Sequence, residues 1–423
     1  MVTVEKLDRF GGWKKMFFYF IVTLFAFPVH ADIFPAVGEL PVHAGLPDPF
    51  LKVDGTRVTT KTEWKQQREY LKRMLEHYQY GHLPPAPEKV RWVTDSKTTY
   101  FDGKAEQRLG RVVVEHQGEV LEIRAGLIRP VGTGPFPVII KNANYLFDYD
   151  LIDDPKRIQK YAKQQRLKVE SDAFRAAVQR GYAIVKFYRE DVLPDRTSSG
   201  QETFLKMFPD FDGGCIAAWA WGTSRLVDIV LTKSWCKPDA ITVTGHSRGG
   251  KTALCAGIYD ERITLTAPNS SGAGGTASWL HFEKNQPRQT IAVHAANHAY
   301  WWNPRLFDFV GKEKHLPFDA HTAKLLIAPR ALLNTHATED FWANPYGTAI
   351  TFEAAQKVFD WLNVAENQGI HWRTGEHQQD FEDWLALLDF ADQLFFDRPS
   401  NREFSDTKHE VPPQLIPWQI PAR

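Results

Sequence analysis

The chain has 423 residues, 43% of them hydrophobic and 24% charged, the composition of a folded globular protein rather than a disordered or fibrous one. Lysine and arginine number 51, as do aspartate and glutamate, so no net charge draws the protein to nucleic acid or to an anionic membrane surface. Three cysteines, Cys215, Cys236 and Cys255, allow at most one internal disulfide, so an apolar core must hold the fold.

At the N-terminus, Lys14 and Lys15 precede an apolar run from Met16 to Phe27, with Val29, His30 and Ala31 behind it. This pattern predicts a secretory leader over residues 1–31, cleaved after Ala31, and a product outside the cell or in a periplasm. The run is shorter than the ~20 residues that a membrane-spanning helix needs. Without the leader, 47 basic and 49 acidic residues remain over 392 positions. No Gly/Ser linker or repeat divides residues 32–423, which we read as one domain.

Apolar positions at three- and four-residue steps predict a helix from Lys61 to Tyr80, with Thr60 and Glu63 as a capping box. The β-branched stretches Arg111 to Glu115 and Val120 to Ile128, with Gln117 and Gly118 between them, predict an antiparallel hairpin. Beyond it, short apolar runs at Pro137 to Ile140, Tyr182 to Phe187, Ala240 to Thr244, Ile263 to Ala267 and Leu325 to Leu333 predict strands. Helical patterns fall at Ala217 to Leu231, Lys251 to Tyr259, Ala349 to Leu362 and Phe381 to Phe396. Such alternation predicts a three-layer α/β fold of the α/β-hydrolase type, a mostly parallel sheet covered on both faces.

The strongest local signal is a β-branched run, Ile241 to Thr244, leading into Gly245-His246-Ser247-Arg248-Gly249 and then a helix. This is the pattern of a nucleophile elbow, in which the glycines permit a tight strand-to-helix turn and the helix N-terminus favours negative charge. Ser247 is the predicted nucleophile, with the Arg248 amide at the oxyanion. The base and its orienting acid follow later in the chain. His377 sits in a loop between a last strand-like piece, Ile370 to Arg373, and the C-terminal helix, where the base belongs. His315, His321 and His336 are read as structural. For the acid, Glu339 and Asp340 both follow the Leu325 to Leu333 run.

Trp219 to Gly222, Gly245 to Lys251, Ser271 to Gly275, Asp340 to Pro345 and Gly375 to Trp384 together resemble the glucuronoyl esterases of carbohydrate esterase family 15, in their bacterial form. The resemblance runs from about Trp64 to Phe396. It implies an α/β-hydrolase that cleaves esters between 4-O-methyl-glucuronic acid on xylan and lignin alcohols, without cofactor or metal. The substrate so implied is a plant cell-wall glucuronoxylan or lignin–carbohydrate ester, and the enzyme is expected as a monomer. Residue by residue it makes Ser247 the nucleophile and His377 the base, and adds the Arg248 side chain at the oxyanion. It also places Lys251 against the sugar's hydroxyls and Trp342 along the sugar site.

The chain departs from the family twice. Many members carry the triad carboxylate just before the Ser-Gly-Ala-Gly-Gly stretch, where this chain has Ser270. Asp340 is therefore taken as the acid ahead of Glu339. Members also carry a sugar-contacting glutamate shortly before an aromatic pair, whereas this chain reads Asn297-His298-Ala299-Tyr300-Trp301. Asn297 or His298 is the expected substitute. An acetyl ester hydrolase on the same scaffold, and a non-catalytic carbohydrate-binding relative, are the rival readings. His294 and His298, four apart, lack the following glutamate of a zincin and are not assigned a metal. Trp219 and Trp221 are read as core, the loop Lys141 to Tyr145 as a candidate source of a second oxyanion amide, and Cys215 and Cys255 as either thiols or a disulfide. The proline-rich tail after Phe396 is expected to lack regular structure.

Overall fold

The computed structural model describes residues 34–146 and 166–422; the expected leader lies outside them. The first helix, α1 (Lys61–Leu75), starts on the capping box foreseen at Thr60 and Glu63: Thr60 accepts from the Glu63 amide and Glu63 from the Thr60 amide. It runs on through a wider turn over Glu76–Tyr80 to Gly81, whose amide donates to Glu76 O.

Nine strands form one sheet: β1 (Lys89–Tyr100), β2 (Ala105–His116), β3 (Glu119–Pro130), β4 (Phe136–Ala143), β5 (Ala183–Tyr188), β6 (Cys236–His246), β7 (Leu265–Asn269), β8 (Ala331–Ala337) and β9 (Gln368–Arg373). Their order is β1-β2-β3-β5-β4-β6-β7-β8-β9. The first three pair antiparallel, and β3 is antiparallel to β5. From β5 to β9 every pairing is parallel. The β2–β3 hairpin turns on Gln117 (φ 49) and Gly118 (φ 81), the two positive angles of a turn whose twist matches the strands.

The helices that follow are α2 (Arg166–Gln179), α3 (Thr203–Met207), α4 (Cys215–Leu231), α5 (Arg248–Tyr259), α6 (Ile291–Asn297), α7 (Ala320–Leu325), α8 (Pro345–Leu362) and α9 (Phe381–Phe396). Successive residues of β4 face opposite ways, as a strand requires. Val138 and Ile140 pack with Trp219 and Leu226 of α4 and Leu254 of α5. Ile139 packs on the other side with Phe174 of α2 and Leu387 of α9. Both faces of the sheet are thus covered, which is why its central strands are largely apolar and buried. Trp219 and Trp221 are buried in this core, and all three cysteines are buried free thiols.

One predicted strand is displaced. Leu325 ends α7, which begins on Asp319 accepting from the Ala320 amide, and the strand starts only at Ala331, after Pro329. An apolar run does not distinguish a buried helix end from a buried strand, and the cap decides it. Beyond Phe396 the tail has one short 3-10 turn, Pro413–Leu415, and packs by backbone bonds, such as the Ile370 amide to Phe404 O.

Candidate active site

The site forms at the carboxyl ends of β6, β8 and β9, where open α/β sheets place their chemistry. Ser247 joins β6 to α5 with φ 58 and ψ −122, a conformation that costs ~1–3 kcal/mol and persists only where the surroundings enforce it. Close approach does so here. A Cβ on Gly245 would lie 2.3 Å from Gly249 O, and one on Gly250 2.8 Å from Ser271 Cβ. The Ser247 amide donates to Asn269 O at 2.9 Å, pinning the turn to β7. Arg248 is the first residue of α5, so its amide has no intrahelical acceptor.

The structure brings Ser247, His377 and Asp340 together. His377 Nε2 lies 2.9 Å from Ser247 Oγ, and His377 Nδ1 lies 2.7 Å from Asp340 Oδ2. Asp340 is 2% exposed, whereas Glu339 is exposed. Burial pushes the Asp340 carboxyl up, but the hydrogen bond and charge of His377, then His336 and the Ala343 amide, outweigh it and hold the group below its ordinary range. Since Asp340 is an acceptor, His377 carries its proton on Nδ1 and presents a bare Nε2 to the serine hydroxyl.

The histidine loop is tied down by Arg373, which is 4% exposed. Its guanidinium donates to Asp383 Oδ2 (2.7 Å), Thr374 O (3.0 Å), Glu376 O (2.9 Å) and Gln378 O (2.5 Å), so its acceptors bracket His377 on both sides. Gln379 adds a tie by accepting from Lys141 Nζ at 2.8 Å. Lys141 and Lys186 in turn flank the buried Glu170.

A cavity of about 290 Å³ opens beside Ser247, walled by His246, Arg248, His377 and the Asn142 to Tyr145 loop. Asn142 Nδ2 donates to Gly249 O at 2.9 Å, fastening that loop to the elbow. His246 donates from Nδ1 to Asn269 Oδ1 (2.6 Å), whose own amide nitrogen donates to Thr335 Oγ1. Burial, then His377, hold the His246 imidazole far below its ordinary pKa and therefore neutral.

Arg248 is steered by a residue that sequence reasoning missed. Asp195, its side chain 2% exposed, accepts from Arg248 Nη1 at 2.6 Å and from Trp301 Nε1 at 2.9 Å. The guanidinium carbon sits 4.6 Å from the centre of the Trp301 ring. His298 stacks on the same tryptophan at 4.0 Å and 5°. Asn297 is exposed and donates to Val293 O of its own helix, so of the two expected substitutes only His298 stands in this network. Lys251 is buried; its ammonium donates to Ser271 O, to Ala273 O (2.6 Å) and to Gln289 Oε1 (3.4 Å). Burial, then Arg248, push it down to about 7. With all three of its donors engaged, a sugar hydroxyl reaches it only by displacing one. Trp342 is 40% exposed on the turn after Asp340. Ser270 is buried with φ 40, and its hydroxyl has no partner among the described residues. His294 accepts from Trp302 Nε1, His321 bonds Pro47 O, and His336 bonds Ala343 O, all structural contacts.

A mostly parallel sheet with a hydroxyl, an imidazole and a carboxylate in hydrogen-bonded series at its carboxyl edge defines a carboxylic ester hydrolase of the α/β-hydrolase class. Comparison with known proteins narrows the class. The model of the family described as glucuronyl esterase, fungi, matches residues 155–363. A 4-O-methyl-glucuronoyl methylesterase of Schizophyllum commune is 27% identical over 90% of this chain and 91% of its own length. A family 15 glucuronoyl esterase from Caldicellulosiruptor kristjansonii is 28% identical, with a TM-score of 0.73 over 90% of this chain and 98% of that one. A mutant glucuronoyl esterase of Sporotrichum thermophile, solved with methyl 4-O-methyl-beta-D-glucopyranuronate, is 25% identical, with a TM-score of 0.69 over 90% of this chain and 95% of that one. Over most of its length the chain is thus similar to the glucuronoyl esterases of carbohydrate esterase family 15.

Proposed function

We propose that this esterase cleaves esters of 4-O-methyl-glucuronic acid through a Ser247–His377–Asp340 triad. The observation that carries the reading is the unbroken series from Ser247 Oγ through His377 to the buried Asp340 carboxylate. Ser247 Oγ attacks the uronoyl carbonyl while His377 Nε2 takes its proton. The resulting oxyanion is met by the Arg248 amide and by the guanidinium that Asp195 aims, contacts that strengthen as charge builds. His377 then gives the proton to the leaving alcohol's oxygen, which departs and leaves an acyl-enzyme. Water, deprotonated by His377, adds to the acyl carbon, and the acid leaves as the Ser247 hydroxyl is restored. Asp340 holds the tautomer and pairs with the imidazolium.

His298 and Trp342 are assigned to the sugar, and Lys251 to holding the Ser271 to Ala273 segment in reach of it. The substrate in nature is read as glucuronoxylan esterified to lignin alcohols. Residues 1–31 are read as a leader that sends a single domain, 32–423, out of the cytoplasm. Hydrolysis of benzyl glucuronate by the wild type, lost in Ser247→Ala, is expected. Hydrolysis of acetylated xylan with none of any uronate ester would overturn this reading.

A further inference from the structure

Beside the proposed base lies a second imidazole that the mechanism does not use. The His246 ring centre is 4.5 Å from that of His377, the two planes tilted by 46°, and His246 also lines the cavity beside Ser247. Its hold on the sheet runs through the carboxyl ends of three strands, because His246 of β6, Asn269 of β7 and Thr335 of β8 are lateral neighbours in the pairing register. Asn269 is fully buried. Its backbone oxygen accepts from the Ser247 amide and its side-chain oxygen from His246 Nδ1, so one residue holds both the nucleophile and the ring next to the base.

The direction of these bonds sets the charge on His246. Asn269 Nδ2 lies 2.8 Å from Thr335 Oγ1 and 3.4 Å from the Thr335 carbonyl oxygen. A carbonyl only accepts, so the NH2 of Asn269 faces β8 and its Oδ1 faces His246, whose Nδ1 must then carry the proton. His246 Nε2 is buried and has no partner among the described residues. A second proton would bury an unpaired charged donor there, at a cost that one amide oxygen does not offset. The titratable and charged groups acting most on the ring are His377 from the β9–α9 loop, Arg166 at the start of α2 and Lys141 of β4, and each of them opposes a charge as well. When His377 becomes an imidazolium during attack, the ring beside it is therefore uncharged. Resting on the triad reading, we propose that His246 and Asn269 are positioning residues for the base: the Asn269 amide fixes the His246 ring in one orientation and without charge, and that ring is the surface against which His377 takes up and gives back its proton.

The test is the pH dependence of kcat on benzyl glucuronate from about pH 5 to 9, with the charge of His246 read from its imidazole nitrogens by NMR of isotope-labelled protein. In the wild type His246 is expected to keep a protonated Nδ1 and a bare Nε2 across that range. His246→Ala removes the ring and is expected to lower kcat ~10- to 100-fold with KM within ~2-fold. Asn269→Asp sets an anion against His246 Nδ1 and favours its charged form. Its kcat is expected ~30-fold below wild type wherever the spectrum shows His246 charged and within ~3-fold where it shows the ring uncharged, so that activity returns as pH rises. A purely structural defect would lower kcat by one factor at every pH. Full kcat with His246 charged, loss of kcat with it uncharged, or His246→Ala within ~3-fold of wild-type kcat overturns the inference. Those results leave the triad standing as long as Ser247→Ala and His377→Ala are inactive; activity retained by either of these two removes the triad reading instead.

Discussion

Replacing Asp340 by Asn tests the triad at its least accessible member, and the structure fixes how the new amide must lie. Asp340 Oδ1 accepts from the Ala343 amide at 3.2 Å while Oδ2 faces His377. An asparagine that keeps the first contact points its NH2 at His377 Nδ1, which then becomes an acceptor. The imidazole proton moves to Nε2, and Ser247 loses its base. Flipping the amide restores the tautomer but sets two donors against each other at Ala343, at ~1–3 kcal/mol. Either way the imidazolium formed during attack loses a buried anion worth ~4 kcal/mol at an effective dielectric near 20. Together these give ~5–7 kcal/mol, a loss of ~10⁴-fold or more in kcat. Initial rates on benzyl glucuronate, with near-ultraviolet circular dichroism to verify folding, measure it. A folded Asp340→Asn enzyme retaining a tenth of wild-type kcat would refute the assignment, above all if Glu339→Gln were the variant that lost activity; the exposed Glu339 is expected to matter less than ~3-fold.

Arg373→Met removes the guanidinium bracket around His377; we expect kcat to fall ~10- to 100-fold with KM nearly constant, since a base displaced by about 1 Å costs that much, and Arg373→Lys to recover only part of it. A loss confined to KM would show that the bracket does not position the base. His321 is fully buried, and burial pushes its imidazole down to about 3. The unfolded chain therefore binds a proton near pH 6.5 that the folded chain refuses, and stability falls as pH drops from about 6.5 towards 3. Urea denaturation between pH 7 and 4.5 should show His321→Gln with a shallower slope, by up to ~1.4 kcal/mol per pH unit; an unchanged slope would count against it. The three buried thiols should react with a thiol reagent only in denaturant, so that prompt labelling of folded protein would contradict their burial.

Much of this arrangement is legible in the sequence because local chemistry and long-range pattern agree. The elbow announces itself through β-branched residues, glycines and a helix, and the hairpin through Gln117 and Gly118. Other parts leave no such trace. Strand β1 alternates only from Lys89 to Trp92, where Val90 and Trp92 pack against the core, and is largely exposed beyond, so its hydrophobic alternation is too short to read. Helix α2 mixes charged and apolar residues, and the apolar run Leu325 to Leu333 divides between α7, a turn and β8. In the site, Asp195 stands 53 residues before Arg248 in a segment without a motif, and only the folded chain shows that it also meets Trp301. Lys251 reads as a surface cation of a helix's first turn, yet the fold encloses it among carbonyls. Nothing local foretells that, because the partners come from the Ser271 to Ala273 segment.

The Arg373 bracket also sets an order of events during synthesis. The proposed nucleophile and acid are made by residue 340, but the proposed base lies at 377, and Arg373, which holds that loop in shape, leans on Asp383 at the start of α9. A nascent chain therefore carries Ser247 and Asp340 for a further stretch of translation without a working base. On the proposed triad, catalytic competence waits on the last helix and on the strand before it.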